Sequence, residues 1–386
     1  MSPKPRTRRE FLKSAPLLVP LVPTPHRGRF RLFPQTEAEY SSRAIELVGR
    51  SLVIDMLSPL TLDFDKGGMW LRDPDTFTAE DLERYQSSGI RVFHVAFGIG
   101  GPDVHALALE YFGGWNGFLA NHPGALLRID STTDFDRLQL PRSQEVGVLL
   151  GLQNSSHFRR VDDVDKFHGL GQRVSQLTYN SRNLLGNGST ERSDGGLSDF
   201  GVAVVERMNE VGMAVDVSHS GDQTTLDAFE VTKKPALLTH GNCRALANHP
   251  RCKTDEAISK MAATGGVMGI TGVRMFVKTE EPTTVEHVLD HFDHVRDLVG
   301  VEHLGIGSDI DLDGYDDMPA ELNRSLRAGY KGTYAFRDKI DIDALAHPKR
   351  VFDLTEGLIR RGYGDRDIEL VLGGNFERVL AEIWNA

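Results

Sequence analysis

Met213-Ala214-Val215-Asp216-Val217-Ser218-His219 is followed by an amphipathic segment, Gln223–Val231, and then by Ala236-Leu237-Leu238-Thr239-His240. Both flanking runs are short and apolar or β-branched, and turn polar only at their ends, as buried strands do. A strand, a helix and another strand in succession make a parallel β/α unit. The same alternation extends in both directions. Ser51–Met56, Arg91–Phe97, Glu145–Asn154 and Ser175–Asn180 precede it, and Gly266–Thr271 and His303–Asp309 follow. Gly201–Val211, Thr254–Ala263 and Val285–Val299 read as further helices. Eight such units predict an α/β fold, a closed (β/α)8 TIM-like barrel of the metal-dependent hydrolase type. A doubly wound open sheet would want a Gly-rich turn after its first strand, where this chain has Leu57-Ser58-Pro59-Leu60. Beyond Asp309 a polar loop is expected through about Leu345, then two helices ending at Trp384.

Composition agrees with one large domain. The 386 residues are 40% hydrophobic and 26% charged, enough for a core and too apolar for wholesale disorder. Lys and Arg number 44 against 55 acids, a net charge of −11, which is wrong for a nucleic-acid binder. No apolar run approaches the roughly 18 residues of a membrane span. Two cysteines are too few for a metal knuckle or a disulfide scaffold. Charge is segregated: through Arg31 there are eight cations and one acid, leaving 36 cations and 54 acids beyond it. Thr7-Arg8-Arg9-Glu10-Phe11-Leu12-Lys13, followed by the apolar Ala15–Val22, is similar to a twin-arginine export signal. Residues 1–31 are accordingly expected to be signal and flexible N-terminus, 32–386 a single barrel domain with C-terminal helices, and the location periplasmic or otherwise extracytoplasmic.

Chemistry in such a barrel gathers at the C-terminal ends of the strands. Here those ends carry Gln153, Tyr179, His219, His240 and Asp309. Two imidazoles facing a carboxylate suit Zn²⁺ or a similar ion, and a carboxylate beside such a centre can act as general base. His287, His291 and His294 recur at helical spacing and read as a solvated helix face; His249 and His347 precede prolines in loops.

Several motifs then carry a resemblance. Gln176-Leu177-Thr178-Tyr179-Asn180, Asn183-Leu184-Leu185-Gly186, Asp194-Gly195-Gly196-Leu197-Ser198-Asp199-Phe200-Gly201, the Met213–His219 run, Thr239-His240, Asn248-His249-Pro250-Arg251, Gly305-Ile306-Gly307-Ser308-Asp309 and Gly373-Gly374-Asn375 resemble the membrane (renal-type) dipeptidases, from about Val53 onward. The resemblance implies a metallopeptidase of the amidohydrolase type that cleaves dipeptides with a free C-terminal carboxylate. It implies metal-binding roles for His219 and His240 and a catalytic role, with possible metal contact, for Asp309. It also implies a homodimer, and a grip on the substrate carboxylate for Arg251, whose guanidinium fork matches that group.

The pattern breaks at the metals. The family's D-x-H-x-D is Asp55-Met56-Leu57-Ser58-Pro59 here, so its His and second Asp are Leu57 and Pro59. Its bridging glutamate is Gln153 in Gly151-Leu152-Gln153. Two cations about 3.5–4 Å apart need a negative bridge, which an amide does not supply. The expectation is therefore at most about one tightly held divalent ion, zinc by preference, on His219 and His240 with Gln153 as a weak ligand. Asp55 reads as a buried structural carboxylate or a supporting group, and His94 is a further candidate ligand. Three functions follow: a dipeptidase with a reduced metal site, an inactive relative that binds peptides or amino-acid derivatives, or an amidohydrolase for another small amide or ester in a pocket redefined by Tyr179. Cys243 and Cys252 can pair in an oxidising compartment or remain free thiols.

Overall fold

A computed structural model of the chain describes residues 28–32, 38–141 and 143–385. The export signal expected at Arg8-Arg9 lies outside the described residues. Eight strands form the barrel: β1 (Ile54–Asp55), β2 (Val92–Phe97), β3 (Val146–Leu152), β4 (Val174–Gln176), β5 (Ala214–Asp216), β6 (Leu237–Gly241), β7 (Val267–Ile270) and β8 (Leu304–Ile306). All neighbours are parallel. β8 pairs back onto β1 through Ile306 and Asp55, closing the barrel. A ninth strand, Leu126–Arg128, which the alternation does not reveal, pairs beside the N-terminal part of β3.

Most strands are shorter than their apolar runs; β6 keeps its length, shifted by one residue. β5, for example, stops at Asp216, and Val217-Ser218-His219 turn away from the ladder. The reason is local: the Asp216 carboxylate accepts hydrogen bonds from Ser218 N (2.9 Å) and Ser218 Oγ (2.5 Å), and so turns the chain outward. The strands approach one another closely, and Gly307 shows why its motif needs glycine. A Cβ there would lie 1.8 Å from the Thr239 carbonyl oxygen. Gly373 is required for the same reason, against the carbonyl of Leu52 at 1.8 Å, while Asn375 Nδ2 donates to Val301 and Leu304 carbonyls. The closing Gly-Gly-Asn therefore docks the last helix, Asn375–Trp384, under β1 and β8.

Three expectations need correction. The segment after β8 is not a plain polar loop, since it contains a helix, Ala320–Ala328, and inserts Tyr334 and Ile340 into a cluster with Val273, Met275 and Phe276. The chain closes with helices Arg350–Arg360, Asp365–Glu369 and Asn375–Trp384 rather than two. His291 is fully buried, accepting from Cys243 N through Nδ1 and donating to the Val277 carbonyl; its neighbours His287 and His294 serve a helix cap and an ion pair with Asp255. Cys243 and Cys252 are both free and buried.

Candidate active site

The ends of β5 and β6 are locked together by one buried carboxylate. Besides its two bonds from Ser218, Asp216 accepts from Thr239 N (3.2 Å) and Thr239 Oγ1 (2.6 Å). His219 and His240 are thereby brought to a ring separation of 5.0 Å. From below, the buried Lys253 ammonium donates to the carbonyls of Val217 and Ser220, both at 2.7 Å, and to Thr225 Oγ1, fixing the turn that carries His219. Burial, and after it the Arg251 charge, lower the Lys253 pKa to about 7. Neither Asp216 nor Lys253 was among the expected site residues. The signal for Asp216 was an acid inside an apolar strand; Lys253 gave none.

Hydrogen bonding fixes the imidazole tautomers. His219 Nδ1–H donates to Asn180 Oδ1 at 2.7 Å. Thr239 spends its hydroxyl proton on Asp216, so His240 Nδ1–H donates to Thr239 Oγ1 at 3.0 Å. With the proton on Nδ1, each ring in its neutral form carries its lone pair on Nε2. Burial first, and then the nearby Arg251 cation, hold both pKa values well below the ordinary histidine range. His94 behaves similarly, donating from Nδ1 to the Met56 carbonyl. Nε2 of His94 and of His240 has no partner among the described residues.

Asp309 follows β8 with a left-handed backbone, φ 61°, held by its N–H to the Leu57 carbonyl at 2.8 Å. Such a conformation costs a non-glycine residue about 1–2 kcal/mol and turns the carboxylate into the barrel mouth. Burial pushes its pKa up to about 7; Arg251 and the Tyr315 hydroxyl, 3.4 Å from Oδ1, oppose that rise. Arg251 is buried, donates from Nη1 to the Ser218 carbonyl and lies over the ring of Phe276. Its Nε and Nη2 have no partner among the described residues.

Above this centre lies a cavity of about 630 Å³. Gln153, Tyr179, Asn180 and Asp309 line it; His219, His240 and Arg251 do not. Tyr179 is the divider. Its ring stacks on His219 at 4.1 Å, and its hydroxyl meets that of Tyr330 at 2.5 Å. Gln153 Nε2 donates to the Ala96 carbonyl, 2.8 Å away. Asp55 is withdrawn altogether, in a buried ion pair with Arg350.

The donor set does not fit a two-metal centre. Leu57 and Pro59 offer no ligand, Gln153 has no charge, and among the described residues no group of three or more His, Cys, Asp or Glu stands where it could hold a metal. His219 and His240 alone fall short of the three protein ligands of a catalytic zinc site.

A closed parallel barrel with polar residues gathered at its C-terminal mouth is the architecture of the amidohydrolase-type hydrolases. The profile of the membrane dipeptidases, peptidase family M19, matches residues 79–329, and the chain belongs to that family. Peptidases of this family are metal-dependent. Dipeptidase verJ of Clonostachys rogersoniana is 32% identical over 226 residues, 56% of this chain and 57% of that protein. Dipeptidase 3 of Rattus norvegicus is 26% identical over 251 residues, 63% and 46% of the two chains. The chain thus spans about half the length of the curated relatives it matches. Among solved structures, an amidohydrolase from Pseudomonas aeruginosa superposes with a TM-score of 0.76 at 28% identity, covering 89% of this chain and 99% of that one. A metallo peptidase from Rhodobacter sphaeroides, liganded with a phosphinate mimic of L-Ala-D-Ala, shares the fold: TM-score 0.71, 17% identity, 87% and 100% covered.

Proposed function

We propose that the chain is a dipeptidase-type hydrolase of small amino-acid amides with a free carboxylate, working without the two-metal centre of its family. One observation carries this reading: the Nε–Nη2 edge of buried Arg251 makes no well-formed hydrogen bond among the described residues and has the Tyr334 hydroxyl beside it. Two parallel N–H donors are what a carboxylate accepts bidentately, and burying them without an acceptor is costly. Asp309 has a pKa suited to moving protons near neutrality. Its carboxylate takes a proton from water as the water adds to the amide carbon, and returns it to the nitrogen as the C–N bond breaks. Asn180 lines the cavity, and its Nδ2, buried and without a partner among the described residues, is the candidate donor for the carbonyl oxygen once a side-chain shift exposes it. The test is release of free amino acid from dipeptides and from their C-terminal amides. Turnover at least about ten-fold faster for the free acids supports the reading, and equal rates overturn it.

A second reading, a relative that binds such ligands without turnover, is favoured by one observation, the missing third metal ligand. Amino acid released by neither chelated protein nor protein supplied with Zn²⁺, Mn²⁺ or Co²⁺ would establish it. We also propose at most one zinc ion, on His219 and His240 with Gln153 as a weak ligand and Asp309 as a possible one. Elemental analysis of protein purified without chelator tests it, and His219→Ala should remove whatever is bound. We propose, further, export by the twin-arginine route: replacing Arg8 and Arg9 by Lys should leave the protein in the cytoplasm.

A further inference from the structure

We infer that the ligand of this cavity is an N-acylated amino acid with an aromatic or apolar acyl group, rather than a dipeptide with a free α-ammonium. This rests on the reading of Arg251 as the carboxylate grip and adds what lies at the other end of the molecule.

Charge is the first observation. Among the residues lining the cavity there is one carboxylate, Asp309, and one cation, Lys331, which is paired with Glu191 at 2.8 Å. Both positions where the family motifs place an acid at the metals and this chain keeps a lining residue, Pro59 and Gln153, are uncharged. Behind the cavity the buried Arg251 guanidinium adds a positive charge. An ammonium entering here gives up its hydration for neutral oxygens and one carboxyl group that is already bonded to Tyr315 and has the Arg251 cation close by.

Hydrogen-bonding capacity is the second. Asn180 Nδ2 and Trp115 Nε1 belong to cavity-lining residues, are buried, and have no acceptor among the described residues. Both donors lie just behind the cavity surface, within reach of a ligand after a small side-chain shift. An acyl carbonyl accepts from such groups, whereas an ammonium has only donors to offer. The wall is the third. Phe64 and Phe97 meet edge to face at 5.7 Å, and Phe64 remains 41% exposed at the cavity, an apolar ring that an apolar acyl group would cover. The corresponding reaction is the same amide hydrolysis. Water adds to the acyl carbon, the C–N bond breaks, and the products are a carboxylic acid and a free amino acid.

Calorimetric titration with two compounds isolates the point. Phenylalanyl-alanine and 3-phenylpropanoyl-alanine differ only in the ammonium. The acyl compound should bind at least about ten-fold more tightly; equal or tighter binding of the dipeptide, or binding of neither, overturns the inference. The C-terminal amide of 3-phenylpropanoyl-alanine separates the two readings. If it binds as well as the acid, the Arg251 reading fails while exclusion of the ammonium stands. Thr61→Asp keeps the acceptor that Thr61 Oγ1 offers to Asp63 N and adds a carboxylate to the cavity wall. The preference should narrow several-fold toward the dipeptide in that variant, and an unchanged ratio would count against a charge-based selection.

Discussion

The ring of Tyr179 lies on the imidazole of His219, with centroids 4.1 Å and planes 18° apart, so that the end of β4 roofs the end of β5. Through its hydroxyl, Tyr179 also holds Tyr330 from the segment beyond β8. This stack is why the cavity stops above the histidines and Arg251. A ligand carboxylate that reaches Arg251 has to part the two tyrosines.

That requirement gives a measurable consequence. Tyr330→Phe removes the hydroxyl pair, whose net contribution is of the order of 0.5–1.5 kcal/mol. If closure competes with the ligand, the variant should bind carboxylate ligands roughly two- to ten-fold more tightly by calorimetry. Weaker binding would mean that Tyr330 contacts the ligand instead of blocking it.

Arg251→Ala should weaken binding of carboxylate ligands by roughly ten- to a hundred-fold and leave their C-terminal amides nearly unaffected, since a charged bidentate contact contributes about 1.5–3 kcal/mol. Equal losses for acid and amide would place the carboxylate elsewhere. Circular dichroism of the variant checks that the buried site still folds.

Asp309 makes stability depend on pH with a definite sign. Its pKa is about 7 in the folded chain, through burial against the opposing effects of Arg251 and Tyr315, and roughly 3.9 unfolded. The native state therefore binds the extra proton between these values. Its stabilising contribution is fully present below about pH 4 and is lost as pH rises through about 7. Asp309→Asn lacks this dependence. The stability difference, wild type minus variant, should fall by a few kcal/mol between pH 4 and pH 8 in urea titrations. A flat difference would show that folding leaves the proton affinity of Asp309 unchanged.

The barrel was legible in the sequence because strands buried on both faces leave continuous apolar runs, and helices between them leave a different period. Strand ends were less so: Val217-Ser218-His219 read as strand because β-branched composition does not register the turn that Asp216 makes. The candidate residues at the strand ends, Gln153, Tyr179, His219, His240 and Asp309, lie near one another at the mouth. Their roles separated only in three dimensions. Tyr179 and Gln153 face the cavity, while both histidines lie beneath it. His291 was misread because helical spacing alone does not say which face a neighbouring element covers; here Val277 and Cys243 cover it. The tyrosines after β8 were missed because 310–345 is rich in charge, and its few aromatics carry the packing.

Asp55 is held by the frame of the barrel rather than by its mouth. It is fully buried, its Oδ2 lies 3.1 Å from Arg350 Nη2, and its Oδ1 accepts from Ser308 N at 2.8 Å. Arg350 in turn donates to the Asp311 carbonyl at 2.7 Å and to Ser58 Oγ at 2.8 Å. This network ties β1, the turn after β8 and helix Arg350–Arg360 into one joint, which gives Asp55 a structural role of its own. Arg350→Met leaves a buried, unpaired carboxylate and should cost about 3–5 kcal/mol in urea unfolding. Adding Asp55→Asn removes that charge and should recover a large part of the loss, because the penalty belongs to the isolated ion rather than to the missing contact. Ligand selectivity of the double variant, at a temperature where it is folded, should match the wild type. A strictly additive pair of losses, or a change in selectivity, would place Asp55 in the chemistry of the site instead of its frame.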